Sequence, residues 1–206
     1  MVDYNTPIFL VHGFCGTSVS YLPLEVSLRM AGFCKIYRIK YPSYSHTLNQ
    51  CRKIVSLRIR QHLSNSKKSH FILIGHSMGG LICRDMYKED LTPTICFMVT
   101  TPQKKVYVAG LLKRIASTSL CDRILGVSGK DLSDHDIAPA PPPCTYYTVS
   151  TSLPIFSGFD GAILTSNMMI EDENNHHIDR SSHFSILLTP ELHQFVITKI
   201  TEQITH

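Results

Sequence analysis

Short apolar runs alternate with amphipathic stretches along the first half of the chain. Pro7-Ile8-Phe9-Leu10-Val11 is an apolar run that ends at a glycine-punctuated loop, His12-Gly13-Phe14-Cys15-Gly16-Thr17. From Ser18 or Ser20, either of which can cap a helix, the spacing is helical to about Met30, and Gly32 supplies a stop. Two stripes compete for the buried face of that helix: Leu22, Val26 and Met30, or Leu24 and Leu28. Cys34 to Tyr41 alternates through Ile36, Tyr37, Ile39 and Tyr41 as a strand ended by Pro42. His46 to Leu63 is an amphipathic helix with Leu48, Cys51, Val55, Ile59 and His62 or Leu63 on one face. Phe71 to Ile74 reads as a fully buried strand. Gly79-Gly80-Leu81-Ile82 opens another helix, and Thr94 to Thr100 is a further buried strand closed by Pro102.

This alternation of strand and helix, with near-continuous apolar strands, predicts an α/β protein: a mostly parallel sheet with helices on both faces. Residues 103–143 are less regular. Val106 to Ala116 has helical spacing, Leu120 to Val127 a weaker version of it, and 129–134 and 139–143 read as loop. Thr145 to Thr151 alternates as a strand. A turn at 156–161 and a run from Ala162 to Ser166 follow, then a polar loop at 171–175 and a short His177-Ile178 stretch. A last helix starts at Thr189 as cap and Pro190 as first helical residue, burying Leu192, Phe195, Val196, Ile200 and Ile204.

Composition narrows the class. A chain of 206 residues, 43% hydrophobic and 17% charged, suits one domain spanning 1–206 with one sizeable core and no disordered bulk. The net charge of +4 comes without a dense basic run beyond Lys67-Lys68 and Lys104-Lys105, so no nucleic-acid partner is expected. The first residues show neither a basic leader nor a long apolar segment, and no stretch approaches a membrane span; a cytoplasmic location is the expectation. The seven cysteines are scattered without Cys-x-x-Cys or zinc spacing, which suits reduced, mostly buried thiols.

The chemistry centres on Gly75-His76-Ser77-Met78-Gly79, between a buried strand and a helix. A serine on so tight a turn takes a strained backbone, and glycines two residues away on each side remove the collision between the incoming and outgoing chain. Its hydroxyl then projects off the sheet end beside the N–H groups of the helix start. A serine becomes a nucleophile only when a base takes its proton and a third group holds the base. Of the histidines that follow Ser77 (135, 176, 177, 183, 193 and 206), His183 is favoured because it sits in a loop just before the last helix. His176 and His177 compete, while His193 within that helix reads as surface. Asp160, before Gly161 and after the 145–151 strand, is the favoured acid. Asp131, Asp134 and Asp136 fit less well, and an Asp-Gly pair is also a turn former. The amides of Phe14 and Met78 are candidate oxyanion-hole donors. His12 and His76 read as structural. Glu171, Asp172, Glu173, His176 and His177 match no defensible metal spacing and read as a solvated loop, so no metal or other cofactor is expected.

Together, His12-Gly13-Phe14-Cys15-Gly16, Gly75-His76-Ser77-Met78-Gly79-Gly80, Phe159-Asp160-Gly161 and Ser182-His183 resemble the α/β-hydrolase superfamily. The chain is most similar to its small lipases and esterases related to bacterial triacylglycerol lipases. The resemblance implies a doubly wound sheet and hydrolysis of carboxylic esters through an acyl-enzyme, with Ser77, His183 and Asp160 as triad. The 103–143 insertion lies where a hydrolase would carry a cap over its pocket, and its shortness leaves room for at most a small lid. Thr101-Pro102-Gln103-Lys104-Lys105 departs from the Gly-Thr-Pro pattern of relatives and bears on acyl-chain preference. Phe156, Phe159 and Phe184, with Phe14 and Met78, are candidate lining for an apolar acyl group, so a small-molecule or lipid ester is the expected substrate, with transient contact at a lipid interface left open. Acyl-protein or acyl-CoA thioester cleavage on the same triad, and a non-catalytic lipid- or partner-binding role, are the alternatives.

Overall fold

In each central strand successive side chains face opposite sides, and both sides are covered. The structure, a computed structural model, describes residues 2–64, 70–104, 127, 131, 141–154, 158, 160–170 and 173–204. Six strands, β1 (Ile8–Val11), β2 (Ile36–Ile39), β3 (Ile72–His76), β4 (Ile95–Val99), β5 (Thr145–Ser152) and β6 (Asn175–Asp179), form one sheet in the order β2-β1-β3-β4-β5-β6. Every pairing is parallel. The helices are α1 (Leu22–Met30), α2 (Leu48–Ser64), α3 (Met78–Arg84) and α4 (Pro190–Glu202).

Ile8, Leu10, Ile72, Ile74, Ile95 and Phe97 pack with Leu24 and Leu28 of α1 and Leu192, Val196 and Ile200 of α4. Phe9, Val11, Leu73, Cys96 and Met98 pack on the other face with Cys51, Val55 and Ile59 of α2 and Leu81 and Ile82 of α3. Two-sided burial is why these strands read as unbroken apolar runs. After β1 the chain first adds β2 on one side and then returns to add β3 on the other. Winding therefore reverses between β1 and β3, and the loops leaving their carboxyl ends border a crevice.

The competition within α1 is settled by its neighbour in sequence. Tyr21, fully buried in a 3-10 turn (Ser18–Tyr21), donates its hydroxyl to the carbonyls of Val11 and Ile74. That anchor sets the helix phase, so residues three and seven positions on, Leu24 and Leu28, turn inward. Leu22, Val26 and Met30 are 46%, 48% and 84% exposed, so the first stripe faces out. Neither Ser18 nor Ser20 starts α1, which begins at Leu22; Gly32 follows its end with φ +96°. In α2, His62 is exposed and Leu63 half-buried.

Two sequence expectations change in the second half of the chain. The polar 171–175 loop gives way at Asn175 to β6, in register from Thr148↔Asn175 to Ser152↔Asp179. As an edge strand it buries one apolar side chain, Ile178, so its pattern is too polar to read as strand. His193 is buried, not surface: its Nε2–H donates to the Leu187 carbonyl at 2.9 Å, and Ser27 Oγ donates to its Nδ1 at 2.9 Å. A polar residue on an inward helix face needs both partners, and together they tie α1 to α4.

Of the 103–143 segment, most lies outside the described residues, including Val106 to Ala116. Two described members bond to the approach to α2: the Val127 N–H donates to the Tyr44 carbonyl, and Asp131 Oδ2 accepts the Leu48 N–H at 2.6 Å. Among the described residues, no helix is long and apolar enough to cross a membrane.

The phase of α1 predicts unequal costs at two positions on opposite sides of the helix. Leu28→Ala should lower unfolding free energy by about 2–5 kcal/mol, whereas Met30→Ala should change it by less than about 0.5 kcal/mol. Urea denaturation of both variants measures this, and comparable costs would contradict the assigned face.

Candidate active site

Between the end of β3 at His76 and the start of α3 at Met78 the chain reverses on one residue. Ser77 has φ +54° and ψ −123°, a region L-residues enter at a cost of about 1–3 kcal/mol. The surroundings hold it there. Its N–H donates to the Val99 carbonyl at 2.9 Å, and its carbonyl accepts the Gly80 N–H at 2.9 Å. The Val99 carbonyl is itself fixed, because the next residue, Thr100 (φ +44°), donates its N–H to Val149 on β5 at 2.7 Å. A Cβ at Gly75 would stand 2.5 Å from the Gly79 carbonyl oxygen, the collision expected between the two limbs of the turn. Gly79 serves a different approach: a Cβ there would run into the carbonyls of Val11 and His12, so its absence lets α3 close on the end of β1.

The loop after β6 brings His183 to this turn. Its Nε2 lies 2.9 Å from Ser77 Oγ and its Nδ1 2.5 Å from Asp160 Oδ2. Asp160 is fully buried, and its other oxygen, Oδ1, accepts the N–H groups of Ala162 at 2.8 Å and Ile163 at 2.6 Å. The same carboxylate thus shapes the turn and reaches the imidazole. A carboxylate only accepts, so Nδ1 carries the proton and Nε2 presents its lone pair to the serine hydroxyl. His183 is buried as well; Ser77 alone of the three is partly open to solvent.

The loop after β1 lies directly against the serine. A Cβ on Gly13 would stand 3.0 Å from Ser77 Cβ. His12 fixes the loop by stacking on Tyr41 (4.3 Å between rings) and donating from Nδ1 to the Gly13 carbonyl at 2.9 Å, while the Tyr41 hydroxyl donates to the His12 carbonyl. Phe14 follows, half-buried, with its ring stacked on Tyr44. Met78 opens α3, where the first N–H groups have no partner within the helix, and its side chain is buried in the core between sheet and α2. Among the described turn and loop hydrogen bonds, none takes the N–H of Phe14 or Met78. Phe184 is 71% exposed and stands edge-on to the His183 ring at 5.3 Å.

The other sequence candidates lie elsewhere. Asp131 bonds to the start of α2, His176 stacks on Phe195, and His177 bonds to Ser150 and Asp179 on the β5–β6 edge. Asp134, Asp136, His135, His206, Phe156, Phe159, Glu171 and Asp172 fall outside the described residues. Partial desolvation in the β1 loop raises the pKa of the Cys15 thiol above its ordinary value. Among the described residues, no cluster of three or more His, Cys, Asp and Glu side chains could hold a metal ion. Two attachments at the site carry no signature in the sequence. Tyr21 ties β1 to β3 beneath the turn, and His76 donates from Nε2 to the His183 carbonyl at 2.6 Å. Nothing local in the sequence marks either, since both partners are main-chain atoms far along the chain.

The profile of the thioesterase domain matches residues 6–135, more than half of the chain. The chain belongs to the thioesterase-domain family. The matched span holds the β1 loop and Ser77 and stops before Asp160 and His183. No curated protein matches the chain in sequence. Among solved structures, this thioesterase-domain protein is similar to the mature form of Bacillus licheniformis lipase BlEst2, with TM-score 0.73 and 17% identity over 96% of this chain and 94% of that one. It is also similar to the RedJ thioesterase of prodiginine biosynthesis in Streptomyces coelicolor, with TM-score 0.64 and 15% identity over 97% and 87%. A third likeness is to MGS-MChE2, an α/β hydrolase from a lagoon-sediment metagenome, with TM-score 0.66 and 16% identity over 97% and 92%. The fold is that of the α/β hydrolases, as the sequence resemblance implied, and the protein is a hydrolase.

Burial, first, and the neighbouring His183, second, lower the pKa of His76 to about 3. An unfolded imidazole titrates near ~6.5, so below that the unfolded chain takes up the proton before the folded one. Stability from the neutral ring is full above about 6.5 and declines as pH falls toward about 3. In urea denaturation, the stability difference between wild type and His76→Gln should shrink as pH falls from about 7 to about 4. A constant difference would contradict a buried neutral ring.

Proposed function

We propose that this thioesterase-domain protein is a serine hydrolase that cleaves acyl esters through an acyl-enzyme. The observation that carries the reading is the chain of hydrogen bonds from Ser77 Oγ to His183 Nε2 at 2.9 Å and from His183 Nδ1 to Asp160 Oδ2 at 2.5 Å. In this reading His183 Nε2 takes the hydroxyl proton as Ser77 Oγ attacks the acyl carbonyl carbon. Asp160 keeps the ring in the competent tautomer and stabilises the imidazolium. The Phe14 and Met78 N–H groups hold the oxyanion; each such donor is worth roughly a hundredfold in rate or more. The imidazolium returns its proton to the leaving alcohol, and a water activated by the same Nε2 frees the acid and regenerates Ser77.

Exposed Phe184 beside His183 supports an apolar acyl group, supplied by a small-molecule or lipid ester. The family match favours a second reading, in which the leaving group is a thiol. Thiols ionise near ~8.5, so a thiolate departs with little help from an acid, whereas an alkoxide needs the proton from His183. The two readings share every residue and differ in how far turnover depends on that proton transfer.

A fluorophosphonate probe should label the wild type one to one and leave Ser77→Ala unlabelled; equal labelling of both would remove Ser77 from the chemistry. Asp160→Asn should lower kcat by about 10⁴ while the fold persists by circular dichroism. Matched oxyester and thioester substrates with the same octanoyl group decide the leaving group. A higher kcat/KM for the oxyester supports the first reading, and a higher value for the thioester supports the second.

A further inference from the structure

His183 sits on a loop between β6, which ends at Asp179, and a 3-10 turn, Ser185–Leu188, and loops are where backbones move most. Its imidazole works only while it stays within hydrogen-bond reach of Ser77 Oγ. Two main-chain bonds hold the residue. The His183 N–H donates to the Asp160 carbonyl at 2.7 Å, and the His183 carbonyl accepts the His76 Nε2–H at 2.6 Å. His76 is the last residue of β3 and the one before Ser77. Its bond therefore joins the nucleophile-bearing strand to the base-bearing loop without passing through the reacting atoms. We propose that His76 is a positioning residue that holds His183 in line with Ser77 through the His183 carbonyl, an inference that rests on the serine-hydrolase reading above.

The surroundings of His76 suit a neutral donor. It is 5% exposed, its ring lies 5.0 Å from the His183 ring and 6.3 Å from Phe184, and a Cβ on Gly13 would stand 3.1 Å from its Nδ1. The charged and titratable groups that act on it are His183 and Asp160 from the base side and His12 from the β1 loop. A carbonyl partner requires a proton on Nε2, which assigns the tautomer of a neutral ring. A cation here would face the imidazolium that forms on His183 during turnover, and burial with that neighbour disfavours it.

Removing the donor while keeping apolar volume separates positioning from bulk packing. His76→Met should lower kcat about 10- to 100-fold, as expected when a catalytic group shifts by a fraction of an ångström to an ångström, with KM changed less than about twofold. His76→Gln keeps an N–H at a similar reach and should recover most of the loss. Equal kcat in wild type and both variants would overturn the proposal, as would an equal loss in Met and Gln variants. A wild type that turns over no ester or thioester and takes no fluorophosphonate would overturn the serine-hydrolase reading instead. The tautomer is read on the wild type alone by ¹⁵N-imidazole NMR. A single Nε2–H form between about pH 5 and 8 supports the clamp, and an Nδ1–H form overturns it even if His76→Met fails to fold.

Discussion

A reversal of direction on a single residue, with the entering and leaving backbones in contact, is the constraint on which this molecule is built. Ser77 occupies a left-handed conformation that only its neighbours make tolerable: Val99 and Gly80 hold its N–H and carbonyl, and the glycines on either side let the backbones touch. The strain has a geometric return. It points one hydroxyl out of the sheet at the place where winding reverses, so loops from β1 and β3 border it.

Around that point the structure consists largely of attachments to main-chain atoms. Tyr21 binds the carbonyls of Val11 and Ile74, Tyr41 that of His12, and His76 that of His183. Asp160 binds two amides with one oxygen and His183 with the other. Each fixes a backbone and leaves the reactive side chains free to exchange protons. The buried phenols and imidazoles suit this because their polar tips find partners while their rings fill the core. Burial also holds His12 and His76 below the usual imidazole range and raises the two tyrosines, so these anchors stay uncharged at neutral pH.

Much of this was legible from residues alone, for reasons that differ by element. The central strands were readable because burial on both faces removes polar positions from Ile72 to Ile74 and from Ile95 to Val99. The turn at Ser77 was readable because close approach demands glycine at fixed offsets. Ser77, Asp160 and His183 could be singled out by their place at strand ends and loops, and the structure brings the three into hydrogen-bond contact. The phase of α1 was not readable, since two equally apolar stripes share it and the decision lies with Tyr21 binding carbonyls of β1 and β3. Strand β6 was hidden because an edge strand needs little apolar surface. His193 and His76 were underestimated because their partners, Ser27 and the carbonyls of Leu187 and His183, come from elements distant in sequence.

A crystal structure of the protein after reaction with an alkyl phosphonate tests the central claim most directly, because the phosphonyl group mimics the tetrahedral intermediate. The expected result is a covalent bond to Ser77 Oγ, a phosphonyl oxygen about 2.7–3.1 Å from the amide nitrogens of Phe14 and Met78, and His183 still bonded to Asp160. Phosphonate carried by another residue, or a phosphonyl oxygen turned away from both amides, would contradict it.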